Sequence, residues 1–191
     1  VAEHRIAMRA LYEGALLAIL VVWLFLRDWR ATFISAVALP LSIIPTFIVI
    51  MVLGYTLNVL TLLALTLVIG ILVDDAIVEV ENIMRHLRMG KTPLQAALEA
   101  ADEIGLAVIA TSLTMVAVFL PTAFVGGITG AFFRQFGFTA AAAILFSLLV
   151  ARLLTPMMSA YLLQPQPQQE IDGYLMRRYL SAVRWCVGHR R

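Results

Sequence analysis

Between Ala31 and Val73 the chain has no Asp, Glu, Lys, Arg or His, a run of forty-three residues. Charge is scarce elsewhere too. Only 14% of the chain is charged and 62% is hydrophobic, against about 25% and about 45–50% for soluble domains. That composition excludes an ordinary soluble domain. The apolar runs exceed the ~18 residues that mark a membrane-crossing helix. Ten-residue segments of alternating polarity, the mark of a membrane β-barrel, are missing. The lone Cys186 excludes an intrachain disulfide and a cysteine-cluster metal site. No metal or cofactor is expected. Basic residues are not gathered on one soluble surface, so no nucleic-acid partner is expected. No basic segment followed by a short apolar core opens the chain, so no signal peptide is visible. It starts Val1-Ala2-Glu3-His4, and a piece of a longer protein is expected.

What is present specifies an all-α integral membrane protein. The expectation is a transmembrane bundle over residues 1–163, with short loops and five spans, at about 10–26, 31–53, 57–80, 104–124 and 136–163. Each can cross a ~30 Å hydrocarbon core at 1.5 Å per residue, the first only with its flanks. Pro40 and Pro45 are expected to bend the second span. Residues 54–58 form its break from the third, and a glycine-rich connection at 126–130 precedes the fifth. The polar segment 82–103 is helix-prone, with Thr92 as a cap, Gln95 three residues on and Pro93 at the first helical position. Residues 164–169 read as a Pro/Gln linker. Residues 170–191 read as an amphipathic cytoplasmic surface helix, with Ile171, Leu175, Tyr179, Ala182 and Cys186 at helical spacing. A helix packed on another domain fits the same pattern.

Orientation follows from the basic residues. Arg27, Arg30, Arg85, Arg88, Lys91, Arg177, Arg178, Arg184, Arg190 and Arg191 fall on one side. Arg5, Arg9 and Arg134 fall on the other. The first side is cytoplasmic by the positive-inside rule. Residue 1 then lies outside, which again implies a missing N-terminal part.

Within the third span stand Asp74 and Asp75. Asp75 lies ~27 Å by helical rise below the outer end of its span, and apolar residues resume after it. A charge near the bilayer centre costs about 2.5–3.5 kcal/mol on insertion scales. Two adjacent carboxylates there titrate as a coupled pair, sensitive to any nearby cation. Such a pair can take a proton from one side and release it to the other when a conformational change alters access. Adjacent helical residues point ~100° apart, so the two carboxylates reach different neighbours. Gly70, one turn before Asp74, is expected to admit a close helix contact. Glu79 and Glu81 are expected to be hydrated near the cytoplasmic end. Arg152 sits ~24 Å below Phe136, near the depth of the aspartates. It is expected either to pair with them or to snorkel to the inner interface. Thr61, Thr66, Thr111, Ser112 and Thr114 are expected to hydrogen-bond neighbouring helices.

These residues carry a family pattern. The stretch 70–82, GILVDDAIVEVEN, resembles the fourth-transmembrane-helix motif of resistance-nodulation-division (RND) transporters. The likeness continues at 23–32, 58–62, 121–130, 132–136 and 154–158 and covers nearly the whole chain. The paired aspartates resemble the hydrophobe/amphiphile (acriflavine-resistance-type) multidrug branch, and the chain resembles helices two to six of the N-terminal half. The resemblance implies an inner-membrane drug/proton antiporter, not an enzyme, with Asp74 and Asp75 as proton relay and the proton as coupling ion. It also implies a second transmembrane half supplying the relay's cationic partners, and periplasmic porter domains. Assembled, such a pump is a homotrimer with a periplasmic adaptor and an outer-membrane channel.

Alternatives remain at this stage: another RND branch exporting lipid or assisting protein export, or a truncated, non-functional scaffold. An intramembrane aspartyl protease fits poorly, because its two aspartates face each other across two helices and no other span here carries an aspartate.

Overall fold

A computed structural model describes residues 2–165 and 174–188. All regular structure among them is helical. Helix α1 spans Ala2–Leu26, α2 Trp29–Val52, α3 Val59–Arg88 and α4 Pro93–Phe119. A 3-10 segment, Leu120–Phe124, follows α4. Helix α5 spans Gly127–Leu149 and passes through a π turn, Val150–Leu154, into α6, Thr155–Leu162. Helix α7 spans Tyr174–Gly188. Four segments are long and apolar enough to cross a membrane: Trp29–Val52, Val59–Arg88, Pro93–Phe124 and Thr129–Leu162. In α1 the apolar part is the shorter Tyr12–Leu26. The chain is a multi-pass helical membrane protein.

Backbone hydrogen bonds closed within each helix leave only the ends to satisfy. Asp28 Oδ1 accepts from the backbone N–H groups of Arg30 at 2.8 Å and Ala31 at 3.1 Å, starting α2. Asn58 does the same for α3, accepting from Leu60 and Thr61 while Thr61 Oγ1 accepts from the Asn58 N–H at 2.9 Å. Thr92 Oγ1 accepts from the Gln95 N–H and Pro93 occupies the first turn of α4. Pro40 and Pro45 both lie inside α2, which runs unbroken.

Two boundaries differ from the sequence expectation. The polar segment 82–103 is no separate element: α3 continues to Arg88 and α4 begins at Pro93. Side chains across this hairpin hold both extensions. Asn82 Nδ2 donates to Ala100 O at 3.1 Å, His86 Nε2 lies 2.8 Å from Glu103 Oε2, and Arg85 and Lys91 pair with Glu103 and Glu99. The reversal comes at Gly90, whose φ of 85° lies in the left-handed region that ends helices cheaply. At the other end α5 starts at Gly127, nine residues before the span expected at 136. Nothing between 128 and 136 breaks a helix. Gly137 lets α5 press against the 3-10 segment, where an added Cβ would stand 2.9 Å from Ala123 N.

Helix α3 is the centre of the bundle and packs on α1, α2, α4, α5 and α6. Its buried face carries Leu62, Leu65, Val68, Ile69 and Leu72. Opposite lie Ala140, Ala143 and Ile144 of α5, all fully buried. Lipid tails are as apolar as leucine, so small residues that permit close approach, not water exclusion, favour such contacts. Arg30 Nη1 donates to Leu162 O at 3.0 Å, placing the start of α2 beside the end of α6. Asn58 and Gln135 bond side chain to side chain near the starts of α3 and α5. Helix α3 and the α5–α6 helix therefore run in the same direction.

Hydroxyls in the spans were expected to bond across helices, but they bond mostly within their own. Thr66 donates to Leu62 O at 2.8 Å, Ser112 and Thr111 to Val108 O, and Thr114 to Ala110 O. The backbone carbonyl three or four residues back is always in reach. Helix α7 carries exposed side chains, among them Tyr179, Trp185 and Val187. The linker residues 166–169 and the amphipathic position Ile171 lie outside the described residues.

Candidate functional site

The two aspartates part as adjacent helical residues must. Asp75 is half-buried and turns toward α5, where Ser147 Oγ donates to its Oδ2 at 2.9 Å. The same hydroxyl lies 3.5 Å from Leu72 O, so it is held over one turn of α3. Asp74 is exposed. It belongs to a stripe on α3, Leu63, Leu67, Gly70, Asp74 and Val78, all exposed and spaced by three or four residues.

Both carboxylates line a groove of about 330 Å³ between α3 and α4. Ile71 and Val78 flank them on α3. The facing wall from α4 is Ile104, Ala107, Val108, Thr111, Ser112 and Met115. None of those wall residues is ionisable. The groove thus sets two carboxylates against an apolar wall.

Glu79 is fully buried, at 0% exposure, and not hydrated as expected. It follows Asp75 by four residues and so shares its face of α3, turned into the bundle. Arg152 does not come to the aspartates among the described residues. Its Nη1 lies 3.6 Å from Glu79 Oε2 and donates to Ala101 O of α4 at 2.7 Å. The physical reason is register: Arg152 occupies the π turn, one helical turn past Ser147, and so meets α3 one turn past Asp75. Gly70 makes no close helix contact among the described residues, since an added Cβ would meet nothing within 4 Å. Gly105 of α4, by contrast, seats the Arg152 guanidinium.

A family model described as the AcrB/AcrD/AcrF family matches residues 6–190. The chain belongs to the AcrB/AcrD/AcrF family. The resemblance to RND multidrug transporters read from the motifs is thereby shown. Among curated family members, a protein named Multidrug resistance protein MdtC from Escherichia coli O139:H28 is 47% identical over 184 residues, 92% of this chain and 18% of that protein. Its namesake in Shigella flexneri is 47% identical over 184 residues. In Yersinia enterocolitica the protein of that name is 45% identical over 192 residues, 96% of this chain and 19% of that one. The chain thus spans about a fifth of the length of these AcrB/AcrD/AcrF relatives.

Three residues of this family member's site escaped the sequence reading: Ser147, Glu79 and Gly105. The spacing of Glu79 from Asp75 was visible and places both on one face. Its position near the end of the span suggested water instead. Ser147 and Gly105 carry no signal beyond residue type in an apolar helix.

Proposed function

We propose that the chain is part of the membrane domain of a proton-driven multidrug efflux pump of the bacterial inner membrane, with Asp74 and Asp75 as its proton relay. One observation carries the reading. Two adjacent carboxylates in a helix of membrane-crossing length line an apolar groove, one tied to Ser147 and the other exposed. A proton bound to this pair removes buried charge, and its release restores it. The conformation that tolerates the charged pair differs from the one that tolerates the neutral pair, and that difference is what drives a transport cycle.

The outward stripe on α3 leaves Asp74 to a cation supplied by a second transmembrane half of the same protein. Drug binding and extrusion belong to periplasmic porter domains. The assembled pump is a homotrimer joined to a periplasmic adaptor and an outer-membrane channel. MdtC relatives carry multidrug resistance in their name, which favours drugs over lipid or protein as cargo.

The test is dye efflux across a pH gradient by the full-length protein carrying this segment. Asp74→Asn and Asp75→Asn should each abolish it. Full efflux by either variant would sink the relay. The 191-residue segment alone should show no specific drug binding, and tight binding would place the substrate site here instead.

A further inference from the structure

We propose that Arg152 is the positioning residue of the carboxylate pair: by tying the π turn to α3 and α4 at once, it keeps the Ser147 hydroxyl on Asp75. The inference rests on the relay reading, because it assigns a role in setting the relay's proton affinity.

Two contacts join α3 to the α5–α6 helix at this level. Ser147 meets Asp75 at 2.9 Å and Arg152 meets Glu79 at 3.6 Å. On α3 the two acids are four residues apart and share a face. On the partner helix the two donors are five apart. In a regular α-helix the fifth residue on would be turned ~140° away. The π turn over Val150–Leu154 absorbs that extra residue and returns Arg152 to the face of Ser147. Five-residue spacing is thus matched to four-residue spacing only while the π turn persists.

Arg152 is what the π turn serves. Its guanidinium donates to Ala101 O at 2.7 Å and covers Gly105, where an added Cβ would stand 2.5 Å from Nη2 and 3.0 Å from Cζ. Its side chain is 24% exposed, while that of Glu79 is sealed at 0%. Neither carboxylate oxygen of Glu79 has a hydrogen bond among the described residues. The arginine is therefore the one countercharge within ion-pair distance of Glu79 among them. Pro156 cannot donate to the carbonyl four residues back, that of Arg152, so the π turn has a backbone cause of its own. Loss of the countercharge instead unties that turn from α3 and α4, and the Ser147 hydroxyl above it loses its hold over Asp75.

The charged groups around Asp75 are few. Asp74 and Glu79 stand on α3 and Arg152 on the π turn. The α4 wall of the groove, α2 between Ala31 and Val52, and α5 between Phe136 and Leu149 bring none.

The experiment uses the full-length transporter in membrane vesicles and measures dye efflux against pH for wild type, Ser147→Ala, Glu79→Leu/Arg152→Leu and Asp75→Asn. The double variant avoids a buried unpaired charge, so it should fold and be produced like wild type. Its pH midpoint is expected to move by about one unit, in the same direction as that of Ser147→Ala. A double variant with the wild-type midpoint, while Asp75→Asn abolishes efflux, overturns the positioning role alone. Full efflux by Asp75→Asn overturns the relay reading instead. Placement is also read without transport, by oxidative cross-linking of an Asp75→Cys/Ser147→Cys pair. Cross-linking should fall severalfold when Glu79→Leu/Arg152→Leu is added, and unchanged cross-linking overturns the proposal.

Discussion

Helix α3 has two faces that differ in what completes them. The face with Asp75 and Glu79 turns into the bundle, and each acid finds a partner there: Ser147 for the first, Arg152 for the second. In the stripe with Leu63, Leu67, Gly70, Asp74 and Val78 every residue is exposed, and Asp74 and Val78 border only the open groove beside α4. One helix thus carries a carboxylate whose surroundings are internal and, one residue earlier, a carboxylate whose surroundings come from elsewhere. An apolar stripe faces lipid at no cost, but a carboxylate in that stripe does so at a cost of about 2.5–3.5 kcal/mol near the bilayer centre. Under the proposed function, that asymmetry puts the pair where this segment would meet a second transmembrane half.

The largest effect expected comes from breaking the inner face. Arg152→Leu strands the buried Glu79 and should destabilise the full-length protein by about 3–5 kcal/mol. Loss of yield and a lowered melting temperature in detergent would register it. Glu79→Leu/Arg152→Leu should recover most of that loss, since a hydrophobic pair of similar volume replaces a buried ion pair at little cost. A double variant as unstable as Arg152→Leu would refute this account of the pair.

A second comparison sets leucine against leucine. Leu65 is fully buried while Leu67, two residues on, is 53% exposed. Leu65→Ala should cost about 2–5 kcal/mol wherever it is measured. Leu67→Ala should cost less than about 1 kcal/mol in the isolated segment, because its site is not enclosed there. In the full-length protein the cost at Leu67 should rise toward that at Leu65 if a second half covers the stripe. Equal, small losses for Leu67→Ala in both settings would mean the stripe faces lipid.

The smallest effect belongs to the self-satisfied hydroxyls. Thr114 donates to Ala110 O in its own helix. Thr114→Ala should change the melting temperature by an amount worth less than about 0.5 kcal/mol. A larger loss would show that Thr114 bonds across a helix contact after all.

Much of the fold was legible in the sequence because lipid leaves the backbone few options. An apolar run of membrane length must be helical. The Thr92 cap before Pro93 follows from a short side chain placed before a helix-forming run. Helix ends outside the apolar runs were less legible. Polarity suggested a break after Val80, but the hydrogen bonding of α3 continues to Arg88 because cross-hairpin pairs such as His86 with Glu103 support it. At the site, residue types and depth singled out Asp74, Asp75 and Arg152, while partner choice stayed hidden. Arg152, at the depth of the aspartates, was expected to pair with them or to snorkel inward, and a one-turn offset makes it the cation of Glu79.

The amino-acid sequence by itself determined the solvent of this protein, its helices, its family and the pair of carboxylates at membrane depth. Those depend on composition and on patterns a few residues long. Tertiary structure alone decided which acid is sealed, which hydroxyl reaches Asp75 and where Arg152 ends. Those outcomes turn on a few ångströms of register between helices distant in the chain, and here that register is set by one π turn and one glycine, Gly105.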